Sequence, residues 1–269
     1  MKARPNQFGR LSQLLTMIWG VSQIQAACGY APPPLPSQGQ TAEALGTGNV
    51  ALSAEVGGGA VASWWNASNL ADVDQTNGWV GAGRMRIGLS ENVDLGVVSA
   101  LGPRGTWVAG PELKWRFSRV APLGARGMPG FQAAWINGIG VGSAALRYDA
   151  GRCEEPISAP SPCMMIPDGE PWVHRPYAAP YTGILVSAGT DTTQLYTGAR
   201  LAVSEVIDNR LFDLTIYPSL GFGGQLRPWR QLAFHAESNF GAALTASDFA
   251  DSGLMVYFGT GVTVFLGSK

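Results

Sequence analysis

The sequence predicts an all-β protein, folded as a single antiparallel, up-and-down transmembrane β-barrel of about ten strands, within roughly 8–12. Three observations lead to this prediction. One segment alternates between apolar and charged side chains, the composition is poor in charge and rich in glycine, and strand-length segments recur between turn residues along most of the chain.

The alternating segment is 106–117, TWVAGPELKWRF. One face carries the polar side chains Thr106, Glu112, Lys114 and Arg116, and the other carries the apolar side chains Trp107, Ala109, Leu113, Trp115 and Phe117. Successive side chains of a strand point to opposite faces, so this strand has one charged and one apolar face. At the usual strand tilt, Trp107 and Phe117 are separated by roughly 25 Å of height, which suits a lipid-facing band with an aromatic at each interface.

The composition excludes several classes of protein. Glycine supplies 36 of 269 residues, about twice its usual share, and charged residues supply 14% against a typical ~25%. Lysine occurs only at Lys2, Lys114 and Lys269, and the net charge of −1 comes without a basic cluster, so no nucleic-acid partner is expected. The chain has no apolar run long enough for a membrane helix, so membrane lipids would have to be met by a closed barrel.

The N-terminus has the layout of an export signal. A basic start is followed by a moderately apolar stretch at 11–27 and then by Cys28, which predicts a signal peptide over residues 1–27. The small residues before Cys28 resemble the lipobox of bacterial lipoproteins, and this resemblance implies lipidation of Cys28. Ordinary cleavage nearby, with Cys28 unmodified or removed, is the alternative. Residues 28–47 are predicted to be a Pro-rich tether, and residues 48–269 the barrel.

Ten strand candidates follow the tether. They span 48–58, 78–89, 93–101, 106–117, 131–148, 177–188, 193–205, 211–223, 231–244 and 253–266. An even number of strands places both termini on the periplasmic side and makes 59–77 and 149–176 the longest outer loops, where a protein partner would bind. Pro111 and Pro218 lie inside strand candidates, and each predicts a bulge or a local break in pairing.

The unit Leu89–Gly96 resembles the tight strand–turn–strand units of Gram-negative outer-membrane barrels. By pattern, the resemblance covers residues 48–266. It implies a location in the bacterial outer membrane, with outer-membrane lipids as the surroundings. One departure is that Phe265 is not terminal, because Leu266–Lys269 follow it.

Cys153 and Cys163 lie in the same predicted outer loop, and their number and spacing predict a disulfide formed in an oxidising compartment. Metal binding by this loop, with His174 nearby, is the weaker alternative because the cysteine spacing is not that of a metal site. No metal site and no cofactor are predicted.

The charged face of the strands predicts a network of lumen charges. Its members are Arg84, Arg86, Asp94, Glu112, Lys114, Arg116, Arg200, Asp213, His235 and Glu237. Mixed signs in a narrow barrel favour pairing among these groups, since about eight strands are just filled by side chains. The alternative is a narrow pore with weak charge selectivity.

The sequence favours a non-enzymatic role as a membrane-embedded structural or interaction component. One rival is a lipid hydrolase, since outer-membrane lipid hydrolases carry a His-x-Ser-Asn motif in which His activates Ser. Here His235 and Ser238 are three apart, which places them on opposite faces of a regular strand. Another rival is a lipid-anchored soluble β-barrel that binds a small apolar ligand.

Overall fold

A computed structural model describes residues 39–63, 78–102, 105–120, 130–147, 172–208, 211–245 and 253–267. The strands are β1 Val50–Ser63, β2 Gly78–Gly88, β3 Val93–Leu101, β4 Trp107–Val120, β5 Gly130–Arg147, β6 Trp172–Gly189, β7 Thr193–Asp208, β8 Leu211–Trp229, β9 Leu232–Thr245 and β10 Gly253–Leu266. Each pairs antiparallel with its neighbours in the chain, and β1 also pairs with β10. The predicted fold, a closed barrel of ten strands, is confirmed. Among the described residues no helix is long and apolar enough to cross a membrane.

The two ends of the barrel differ. One end carries the start of β1, the end of β10 and the short connections β2–β3, β6–β7 and β8–β9; we call it the terminal end. The opposite end, which we call the loop end, carries the connections that follow β1, β3, β5, β7 and β9. Several strands reach further than predicted, since β1 continues to Ser63, β6 begins at Trp172 and β8 continues to Trp229. Parts of the predicted outer loops 59–77 and 149–176 are therefore strand.

The two prolines interrupt pairing on one side only. Pairing of β4 with β5 stops after Ala109 and resumes at Glu112 in the same register, whereas Pro111 remains opposite Val97 of β3. Pro218 likewise remains opposite Leu201 of β7 while pairing with β9 lapses. Each proline thus causes a local break, because it has no N–H to donate to one neighbour.

The apolar and charged faces take the predicted sides. On β4 the side chain of Leu113 is 42% exposed on the outside, while its neighbour Lys114 points inward and is 1% exposed. The same outward face carries Trp107, Trp115 and Phe117, and the other strands add exposed side chains that include Leu95, Trp135, Ile184, Leu220, Phe240 and Phe258. A soluble barrel has the reverse arrangement, so the rival reading of a soluble ligand-binding barrel does not fit this structure.

We expect Leu113→Arg to destabilise the barrel by about 2–4 kcal/mol, the cost of a cation on the lipid face near mid-membrane. The measurement is urea unfolding of the protein in phospholipid vesicles, with tryptophan fluorescence as the signal. Leu113→Ile is the control and should unfold close to the wild type. Equal stability of the arginine variant would mean that this face does not contact acyl chains.

Candidate functional site

The lumen contains part of the chain itself. Residues 39–47, which were predicted to belong to the tether, lie next to the start of β1. Gln40, Thr41, Ala42, Ala44 and Leu45 are buried inside the barrel, whereas Thr47 at the rim is exposed. We call residues 39–47 the plug segment. It enters at the terminal end, because only Gly48 and Asn49 separate it from Val50, the first residue of β1.

Near the terminal end the plug segment is held by one carboxylate and one ammonium group. The backbone N–H of Leu45 donates to Asp94 Oδ1 at 3.0 Å. Lys114 Nζ donates to the carbonyl oxygen of Thr41 at 3.3 Å and to that of Glu43. These bonds satisfy backbone groups that the lumen would otherwise leave without partners.

Further from the terminal end the plug segment meets two glutamates. Gln40 Nε2 donates to Glu112 Oε1 at 3.0 Å, and the backbone N–H of Gly39 donates to Glu237 Oε2 at 2.8 Å. Glu237 lies well inside β9, opposite Gly259 of β10. The chain therefore runs from the terminal end inward, and Gly39 lies in the middle part of the lumen.

The buried charges of β2, β3 and β4 form ion pairs. Arg84 Nε lies 3.2 Å from Glu112 Oε1, and Asp94 Oδ2 lies 3.3 Å from Arg86 Nη1 and 3.2 Å from Lys114 Nζ. Asp94 thus neutralises two cations while it also binds the plug segment. Such pairing is required in a lumen enclosed by lipid, because an isolated buried charge is very costly.

Arg116 ties the terminal rim together. Its guanidinium donates to the Asn92 side chain, to the carbonyl oxygen of Glu91 at 2.6 Å and to Gln132 Oε1 at 3.4 Å. It thereby fixes the β2–β3 turn against β4 and β5. Its role in this structure is to hold the rim, and none of these partners is a carboxylate.

Glycines create the room for large side chains between strands. Glu112, Gly138 and Tyr181 lie in register on β4, β5 and β6. The Tyr181 ring lies across Gly138, where a Cβ would overlap it, and the Tyr181 hydroxyl donates to Glu112 Oε2 at 2.8 Å. The glycine therefore lets an aromatic side chain cross one strand and hydrogen-bond to a carboxylate on the next.

The same arrangement recurs on the other side of the barrel. Tyr196, Gly223 and Glu237 lie in register on β7, β8 and β9. The Tyr196 ring covers Gly223, and its hydroxyl donates to Glu237 Oε2 at 3.0 Å. We call this unit, an aromatic side chain crossing a glycine to a glutamate, a glycine crossing.

A third glycine crossing involves the histidine that the sequence analysis singled out. His235, Gly261 and Glu55 are in register on β9, β10 and β1, and His235 Nε2 lies 3.6 Å from Glu55 Oε2. Ser238 of the same strand is on the outward face, which alternates with the inward face of His235. The pairing of base and nucleophile required by the hydrolase hypothesis is therefore not formed.

Arg200 also lies in the lumen, beside Tyr181. Its guanidinium carbon lies 5.8 Å from the centre of the Tyr181 ring, a cation–π distance. A cavity of about 10 Å³ lies beside Gln40, Arg84 and Arg200, which is room for about one water molecule. The plug segment and the charged side chains together fill this part of the barrel.

Nine of the charged and titratable residues predicted for the lumen are found there. Arg84, Arg86, Asp94, Glu112, Lys114, Arg116, Arg200, His235 and Glu237 are all buried in the lumen. Asp213 belongs to β8, but its side chain lies outside the described part, as do Cys28, Cys153 and Cys163 altogether. His174 is exposed, 3.5 Å from Ser143 Oγ, and the described residues contain no group of acidic, histidine or cysteine side chains suited to a metal ion.

Sequence reasoning missed two kinds of site residue. Glu55 shares the inward face of β1 with Ser53, and that alternation was a readable signal. The glycine crossings of Tyr181 and Tyr196 were not readable, because they depend on the register between three strands.

Two facts now decide the class: an apolar exterior on all sides of a closed antiparallel barrel, and buried ion pairs in its interior. The fold is that of a Gram-negative outer-membrane β-barrel. No family model and no curated protein matches the chain.

Solved structures of outer-membrane barrels resemble it at low identity. The N-terminal β-barrel domain of Pseudomonas aeruginosa OprF is 9% identical, with 82% of this chain and 99% of that chain covered and a TM-score of 0.34. An outer-membrane channel from Pseudomonas putida F1 is 10% identical, covering 83% and 97%, with a TM-score of 0.43. The outer-membrane protease OmpT of Escherichia coli is 10% identical, covering 81% and 96%, with a TM-score of 0.35. No activity is inferred for this outer-membrane barrel from these likenesses.

We expect Gly138→Ala and Gly223→Ala each to lower stability by about 1–3 kcal/mol, because the added Cβ overlaps a tyrosine ring of a glycine crossing. The readout is the urea midpoint in vesicles, together with the temperature at which the gel mobility shifts. Gly81→Ala is the matched control, since a Cβ at that position meets nothing within 4 Å. Equal effects at all three positions would show that the crossings are not what constrains these glycines.

We expect Asp94→Asn to destabilise the barrel more than Lys114→Met does. The first leaves two cations without their shared carboxylate, at a cost of about 3–5 kcal/mol, whereas the second leaves Asp94 paired with Arg86. Glu91→Gln, the same charge change in the exposed β2–β3 turn, is the control and should be nearly neutral. The reverse order of the first two variants would refute the shared-carboxylate arrangement.

Proposed function

We propose that this protein is a structural or interaction component of the bacterial outer membrane whose lumen is closed to ions. The observation that supports this role is the plug segment, which is bound inside the barrel by Asp94, Glu112, Lys114 and Glu237. A barrel that fills its lumen with its own chain offers its outer surface and loops, and not a passage, for function.

The narrow-pore alternative is less well supported. A selective pore needs charged or carbonyl groups that face a water-filled path. Here the carboxylates of Asp94 and Glu112 are occupied by cations and by the plug segment. The charges of the lumen therefore serve to bind the chain and each other.

The proposed orientation follows from the connections. With the terminal end in the periplasm, the long connections 59–77 and 149–176 face outward, and we propose them as the surfaces for a protein partner. The disulfide between Cys153 and Cys163 and the acylation of Cys28 remain predictions from the sequence. A non-enzymatic role is supported by the separation of His235 and Ser238 on opposite faces.

Conductance in planar lipid bilayers tests the closed lumen. We expect the wild-type protein to insert without stepwise currents, and a variant that lacks residues 39–46 to show open-channel steps, because the ligands of Lys114 and Glu112 have been removed. Deletion of residues 154–161, a segment of the same length in the predicted outer loop, is the control and should remain silent. Open-channel steps from the wild type would replace this proposal with the narrow pore.

A further inference from the structure

We propose that the Pro-rich residues 30–38 occupy the loop-end half of the lumen, so that the N-terminal segment threads the barrel from the terminal end to the loop end. This inference goes beyond the proposed function, because a threaded segment is compatible with any role of the outer surface. The position and direction of the plug segment and the lining of the lumen beyond Gly39 support it.

The direction of the plug segment is set by its hydrogen bonds. Leu45 binds Asp94, one residue from the terminal end of β3, and Gln40 binds Glu112, which lies two residues closer to the loop end than Lys114, the residue opposite Asp94. Gly39 binds Glu237, well inside β9. Each step towards the N-terminus is thus a step towards the loop end, and the residues before Gly39 start from mid-lumen.

The lining of the lumen changes at this level. From this level towards the terminal end, the lumen contains the ion pairs and the glycine crossings. On the loop-end side of Gly39 most inward side chains are uncharged. The apolar ones belong to the hydrophobic cluster of the barrel and include Val98, Ala100, Val108, Tyr177, Ala179, Ala202, Tyr217, Ala243 and Met255. Small polar side chains at Thr106, Ser204, Thr215, Ser219 and Asn239 are buried among them. Among the described side chains, Arg175 is a charged group on the inward face near the loop rim; Asp213 of β8 shares the alternation of the inward Thr215 and Tyr217, but its side chain is outside the described part. A ten-stranded barrel is wider than a barrel of about eight strands, whose interior is just filled by side chains. The small inward side chains of this half therefore leave space in the lumen.

The sequence of residues 30–38, YAPPPLPSQ, matches this lining. It is apolar and uncharged, and its prolines favour an extended polyproline helix whose carbonyl oxygens have no internal partners. Aromatic side chains are the usual surface for such a helix. In the described part of the lumen the buried hydroxyls of Tyr177 and Ser204 have no hydrogen-bond partner, and they are donors suited to those carbonyls.

The lengths also agree. Met255 is four residues from Gly259, the residue opposite Glu237, which is roughly 10 Å of height at the usual strand tilt. Four residues of polyproline helix span ~12 Å, so Leu35 reaches the level of Met255. Cys28 is eleven residues from Gly39 in the sequence, or roughly 34 Å at ~3.1 Å per residue. That length carries Cys28 beyond the loop rim of β9, which is roughly 20 Å above Glu237.

Photo-crosslinking from methionine tests the occupant of this half. Cells are grown with photo-methionine, a diazirine analogue of nearly the same size, and isolated outer membranes are irradiated and digested for mass spectrometry. Met255 is buried in the lumen and Met85 is exposed on the outside. We expect crosslinks that join Met255 to the peptide carrying residues 30–38, and none that join Met85 to it.

Met255→Leu should remove that crosslink while it leaves the heat-modifiable gel mobility unchanged. Adducts of Met255 confined to neighbouring strands would overturn the proposal. So would adducts with a small apolar molecule, which would make this half a ligand site instead.

Topology provides a second readout. A short protease site is placed between Gly29 and Tyr30, and reference sites are placed in the connections 190–192 and 246–250 of otherwise unchanged proteins in intact cells. We expect the N-terminal site to be cut from the same side as the site in 246–250, at the loop end. Cleavage from the side of the site in 190–192 would show that the N-terminus returns to the terminal end. Silent conductance with that result would overturn the threading alone and leave the proposed function intact.

Discussion

The structure depends on one constraint: a polar group inside a barrel surrounded by lipid has to find its partner within the protein. Asp94 illustrates how this is met, because one carboxylate serves Arg86, Lys114 and the backbone of Leu45. The strands that carry these groups inward carry leucine, tryptophan and phenylalanine outward at the alternate positions. Membrane insertion and lumen pairing are therefore two results of a single alternation.

The positions of three glycines follow from the same constraint. A carboxylate on one strand and an aromatic side chain two strands away meet only if the strand between them has no side chain in the way. Gly138, Gly223 and Gly261 occupy those intermediate positions in three separate units. Composition showed only that glycine is frequent, whereas the role of these three glycines is to let side chains cross a strand.

Much of this architecture was predictable from the sequence, and the remainder was not for physical reasons. The inward position of Lys114 and the outward position of Leu113 follow from period-two alternation, which needs no knowledge of neighbouring strands. The partner of Tyr181 depends on the register of three strands, which a single sequence does not encode locally. The plug segment was misjudged because a Pro-rich composition indicates an extended chain but does not say whether water or a protein interior surrounds it.

The plug segment continues without interruption into β1, and β1 is also the strand that pairs with β10 to complete the ring. The first and last strands of the chain thus meet at a seam, and the residues just before that seam already lie within the cylinder. During assembly the plug segment therefore either lies between the edges of the open sheet before they join, or is drawn into the barrel afterwards. In the first order of events, the charged groups of β3 and β4 act as a template around which the sheet wraps.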